Sequence, residues 1–180
     1  MDDKIETLWN IYDSINSMIK FSDTKATAIL AINGVVLTII FSNISKFLPL
    51  IADPLYRNFV IVSVTVGTLT GIVSIICSIS CLIPKTNFYK DKKDYKTSTI
   101  FFGDIAKKEN PGAYSQFIKE VLSKEGQLEN DILQSIWINS KISANKFLKV
   151  QLAVILLGLT IFFLIIPLFI YVIPYSNLHL

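Results

Sequence analysis

The chain has one histidine, His179, and it stands in the C-terminal tail. Neither a Ser-His-Asp arrangement nor a His-Glu-x-x-His zinc site can be assembled around it. The 7 glycines are too scattered for a phosphate-cradling loop or a dinucleotide fingerprint. Cysteine is confined to Cys77 and Cys81. Four residues apart, they lie side by side on one helix face, which is neither a zinc-finger nor a redox spacing and implies no disulfide. Asp23 and Asp104, the acids that fall inside motifs, have no catalytic partner near them. The common hydrolase and oxidoreductase designs are therefore excluded. We expect no enzyme, no metal and no cofactor.

Charge is missing on a larger scale. No charged residue occurs between Lys25 and Lys46, a gap of about 30 Å as a helix and enough to cross a bilayer. The stretches 58–84 and 150–178 are likewise without acids or lysine and arginine. A hydrophobic share of 52% and a mean hydropathy of +0.52 exceed what a soluble core of this size needs. The fold class expected is all-α: an integral membrane protein with three spans, at about 24–42, 58–83 and 150–173, and a helical cytoplasmic module. The acidic start (Asp2, Asp3, Glu6) is unlike a signal peptide, so the first span is expected to persist in the mature protein. Lysine then sets orientation, because twelve of the 17 basic residues fall in 85–149. The positive-inside rule puts residues 1–23 and 85–149 in the cytoplasm, with the 41–57 loop and the 174–180 tail outside.

What remains is mostly amphipathic helix. Ile5, Leu8, Tyr12, Ile15 and Ile19 are spaced 3, 4, 3, 4, a seam for packing on the protein's own cytoplasmic helices or on a membrane surface. Its acidic start favours protein over anionic lipid. Ser42–Ser45 and Pro49–Pro54 are expected to end the first span and make a short loop. In the second span Gly67 and Gly71 match a GxxxG contact motif. Lys90–Lys96 reads as a solvated loop and 97–102 as a short extended segment. Asn110-Pro111 starts a helix whose rhythm runs through Gly126 into the third span. Pro167 is expected to kink that span and Pro174 to end it.

Five short pieces carry a family resemblance. They are Phe21-Ser-Asp-Thr-Lys-Ala26, Leu30-Ala-Ile-Asn-Gly34, Leu82-Ile-Pro-Lys85, Ile100-Phe-Phe-Gly-Asp-Ile105 and Ile138–Phe147. In this order, over nearly the whole chain, they resemble the PycTM family, the transmembrane effectors of Pycsar, a bacterial antiphage system built on pyrimidine cyclases. The resemblance implies a multi-pass protein of the bacterial inner membrane that pairs functionally with such a cyclase. Such an effector senses a cyclic pyrimidine nucleotide, cCMP or cUMP, and impairs the membrane in an abortive infection.

A cyclic mononucleotide needs cations or backbone amides for its phosphate, aromatics to stack its base and amides to read the base edge. The candidate ligand set is accordingly Asp23, Lys25, Lys85, Phe101, Gly103, Asp104, Asn139, Lys141 and Asn145. Each also has a plain structural reading. Lys25 and Lys85 stand where lysines snorkel at span ends. Asp23 can pair with Lys25, and Phe101 can be core. Asn33, inside the first span, is read as an amide hydrogen-bonded to another helix, with pore lining as the other reading. A homo-oligomer is expected and nucleic acid is not. The alternatives are a membrane anchor that recruits a cytoplasmic enzyme without binding nucleotide, a small channel or transporter subunit, and an effector of a cyclic oligonucleotide.

Overall fold

The computed structural model describes residues 2–84 and 97–176, with side chains over 3–49, 51–84 and 97–167. Lys85, the 90–96 loop and residues 177–180 of the predicted tail lie outside the described residues. Among the described residues five helices follow in order: α1 (Asp2–Phe47), α2 (Pro54–Leu82), α3 (Phe102–Ile105), α4 (Pro111–Ser123) and α5 (Gln127–Ser176), with a 3-10 turn at Leu48–Leu50. There is no strand among the described residues, and α1, α2 and α5 are each long and apolar enough to cross a membrane.

Four boundaries differ from expectation. Ser42–Ser45 do not end α1, which continues to Phe47. The Asn43 amide turns back to donate to Ile39 O at 2.8 Å, so a polar residue is satisfied inside the helix instead of breaking it. The helix expected from 111 onward is two helices, parted at 124–126, where Gly126 takes a left-handed φ of 72°. Residues 97–101 are an irregular loop, not an extended segment. Pro174 lies within α5, which runs on to Ser176.

The chain divides into two units, Met1–Ser22 with Pro84–Lys146, and Asp23–Ile83 with Phe147–Leu180. In the first, the α1 seam of Ile5, Leu8, Tyr12, Ile15 and Ile19 is half-buried. Asn139 Nδ2 on α5 donates to Asn16 Oδ1 on α1 at 2.9 Å. The N-terminal helix therefore packs on the protein's own helices. Val121 and Ile132 are the buried apolar anchors of α4 and of the start of α5, and Asn110 caps α4 by accepting from Ala113 N at 2.9 Å.

In the second unit Ala26, Ile29, Cys81, Val150, Ala153 and Leu157 form the core. The buried side of α2 is Val60, Ser63, Gly67, Gly71, Ser74, Ser78 and Cys81, nearly all small. The two glycines permit a close approach to α5. A Cβ at residue 67 would stand 3.0 Å from Leu164 Cγ, and one at residue 71 would stand 3.3 Å from Thr160 Cγ2. The large apolar groups instead face outward, Val62, Leu69 and Ile76 on α2 among them. That pattern suits lipid.

Candidate functional sites

The first unit centres on a polar knot at the start of the 97–105 loop. Ser98 Oγ accepts from the backbone N–H of Ile100 and of Phe101, both at 3.1 Å, which folds the loop into α3. Asp104, 1% exposed, answers by accepting from Ser98 N at 3.1 Å and from Lys107 Nζ at 3.0 Å. Asp131 on α5 accepts from Thr99 N at 2.7 Å and also from the Thr99 hydroxyl. Tyr114 on α4 donates to Thr99 O at 3.1 Å. Two carboxylates from different elements thus hold one loop, and each is occupied in doing so.

Around Val121 lie three adjoining hollows. One of about 390 Å³ is walled by Trp9, Ile100, Ile105, Tyr114, Ile118 and Leu128, with Thr99 at its polar edge. A second of about 510 Å³ shares Val121, Leu122 and Leu128 with it and adds Lys4, Lys124, Glu125 and Glu129. A third of about 290 Å³ carries Thr97, Gln127, Asn130, Asp131 and Gln134. An aromatic, apolar end therefore runs toward a polar end where Lys4, Lys124 and side-chain amides stand beside the carboxylates of Glu125, Glu129 and Asp131. A hydrogen bond from Lys124, and then its charge, hold the Glu120 carboxyl below its usual range, so Lys124 is partly committed within α4.

The residues singled out in the sequence divide between the units. Asp23, half-buried, and Lys25, exposed, belong to the second; Lys85 lies outside the described residues. The structure brings Phe101, Gly103 and Asp104 together, with a structural use for each. The Phe101 ring lies where a side chain at residue 103 would go, 2.7 Å from an ideal Cβ, and packs on Phe102 with centroids 4.9 Å apart. Asn139 ties α5 to α1. Exposed Lys141 stands 5.8 Å from the Trp137 ring centroid, a cation–π contact, and Asn145 is half-buried. None of these six lines the three hollows. Sequence reasoning passed over Trp9, Tyr114 and Asp131, which do. Their one signal was an aromatic or acid standing in a helical seam.

The second unit has its own polar centre. Asn33 on α1, fully buried, donates from Nδ2 to Ser74 Oγ at 3.0 Å and to Ile29 O at 3.1 Å. Ser74 Oγ donates to Ala153 O at 2.8 Å, and Thr70 and Thr160 hydroxyls meet at 3.0 Å. Three helices are cross-linked by four side chains, as expected of polar groups in hydrocarbon. At the other end Lys149 Nζ donates to Ser80 O at 2.7 Å. No metal-ligating group of three or more His, Cys, Asp or Glu exists among the described residues.

Comparison with known proteins adds two findings. Residues 7–173 match the family model described as PycTM, Pycsar effector protein domain. A curated Escherichia coli protein named Pycsar effector protein EcPycTM is 26% identical over 153 residues, covering 84% of this chain and 82% of the relative. No solved structure matches.

Proposed function

The chain belongs to the PycTM family of Pycsar effector proteins, and we propose that it is a nucleotide-gated membrane effector of antiphage defence. The first unit receives cCMP or cUMP on the cytoplasmic face of the inner membrane, and the second impairs that membrane. The family match over residues 7–173 carries this reading. The hollows around Val121 support the receptor half: Trp9 and Tyr114 offer faces for a pyrimidine ring, Gln127 and Asn130 offer amides for its edge, and Lys4 offers a cation for one phosphate charge. Ligand that fits one arrangement of the first unit better than another shifts the population toward it. Moving a closed state from 1:99 to 99:1 takes about 5.5 kcal/mol of differential binding, which several sites in a homo-oligomer can share.

Equilibrium binding to the detergent-purified chain tests the receptor half, with cCMP and cUMP as ligands and cAMP, cGMP and a cyclic dinucleotide as controls. Binding to a pyrimidine form is expected, weakened about tenfold or more by Trp9→Ala, as loss of a stacked base implies. Lys141→Ala should leave it nearly unchanged. A panel without binding would remove direct sensing and favour the anchor that recruits a partner enzyme. Loss in Lys141→Ala but not in Trp9→Ala would move the pocket away from the hollows.

A further inference from the structure

Inside the second unit the buried faces of α1, α2 and α5 meet along a row of small and polar residues: Ser63, Gly67, Gly71, Ser74 and Ser78 of α2, with Asn33 and Thr160. Most of its hydroxyls are spent on carbonyls. Ser78 Oγ donates to Ser74 O at 3.0 Å, and Thr160 Oγ1 to Leu156 O at 2.8 Å. The amide of Asn33 is different. Ser74 gives its only proton to Ala153 O, so it must accept from Asn33, which fixes the amide nitrogen toward Ser74 and turns Oδ1 away. Oδ1 is buried and accepts no hydrogen bond. It faces Gly71: an ideal Cβ there would stand 3.5 Å from it, 3.3 Å from Thr160 Cγ2 and 3.5 Å from Leu37 Cδ2. A buried acceptor is thus aimed at a point on α2 where no side chain projects.

We propose that this row is a water-admitting path, with Asn33 Oδ1 the site that takes the first water. When α1, α2 and α5 part, the Ser, Thr and Gly face lines a route for water and small ions. A serine or threonine hydroxyl can exchange a carbonyl of its own helix for water, and glycine leaves room beside it. The outward Val, Ile and Leu faces can do neither. This inference rests on the reading that the protein impairs a membrane, and it names the surface through which it does so.

The test needs no nucleotide. The full chain is reconstituted in potassium-loaded liposomes at mildly alkaline pH, where a carboxyl introduced into the row is driven to ionise and to draw in water. Asn33→Asp, nearly isosteric, should raise potassium efflux about tenfold over the parent, since a charged lining wets a closed constriction. Val35→Asp, outward-facing on the same helix, should not. Efflux at the parent rate in Asn33→Asp would overturn the proposal, and should that variant not yield a monodisperse protein, Thr160→Asp carries the same comparison. Accessibility gives a second readout. In a Cys77→Ala, Cys81→Ala, Asn33→Asp background, Ser74→Cys should react with a charged, membrane-impermeant thiol reagent and Ile76→Cys should not; equal reaction at both sinks the path. Nucleotide-triggered efflux of the parent is measured separately. Its absence removes the effector reading, whereas its presence with Ser74→Cys untouched removes this inference alone.

Discussion

Pro167 has no backbone N–H, so the carbonyl of Phe163, four residues earlier, has no helical donor. In hydrocarbon that oxygen has no water to turn to. Ser63 Oγ on α2 supplies the bond at 2.6 Å, and the Tyr56 hydroxyl donates to Pro167 O itself. Ser63→Ala should therefore destabilise the protein by about 0.6–2 kcal/mol. Pro167→Ala restores the missing N–H, so the double variant should recover most of that loss. Thermal unfolding in detergent measures the cycle, and strictly additive effects would show that the two residues do not serve one carbonyl. Residues were legible in the sequence as unusual more than as to what they do. Gly103 and Phe101 are ligand candidates by sequence, and in the structure the Phe101 ring occupies the place of the side chain that Gly103 lacks. The sequence marks Asn33 as an interhelical amide, which its nitrogen is; that its oxygen is left over depends on where Ser74 sends its proton, and no sequence pattern reports that.

Elements were easier to read, because a helix announces itself over many residues. The three long apolar helices, the α1 seam and the Asn110-Pro111 start of α4 are all present, although α1 and α5 run past their expected ends. The break between α4 and α5 was hidden, since the apolar rhythm from Phe117 through Ile132 continues across it. One glycine makes the difference. At φ 72° Gly126 adopts a conformation that costs other L-residues about 1 kcal/mol or more, and the turn closes with Gln127 N donating to Lys124 O at 3.2 Å. Gly126→Ala should lower the stability of the first unit by roughly 1 kcal/mol, read as a fall in its denaturation midpoint. An unchanged or raised midpoint would mean that α4 and α5 can fuse into the single helix that the rhythm suggests. The 97–101 loop departs from its sequence pattern for the converse reason. Its β-branched residues suit a strand, but its amides are claimed by the carboxylates of Asp104 and Asp131 and by the Ser98 hydroxyl before any sheet partner is needed.

At the scale of the whole molecule, helices α1 and α5 each contribute residues to both units. If nucleotide binding in the first unit acts on the second, continuous helix is the available carrier. A Gly-Gly-Pro insertion between Lys146 and Phe147 should leave nucleotide affinity within about threefold of the parent while abolishing nucleotide-triggered efflux, because the inserted residues interrupt the helical ladder. Efflux that persists would show that coupling does not run through α5.

The bond between Asn16 and Asn139 joins residues 123 apart in sequence. At a synthesis rate of roughly 5–20 residues per second, about 6–25 s pass between making one partner and making the other. Through that interval the sticky seam of Ile5, Leu8, Tyr12 and Ile15 is already on the nascent chain while the helices that will cover it are still untranslated. The newborn protein must therefore borrow its cover, from a chaperone or from the bilayer surface. A chain stopped before Gln127 would never give that cover back, and quality-control proteolysis is the fate to expect for it.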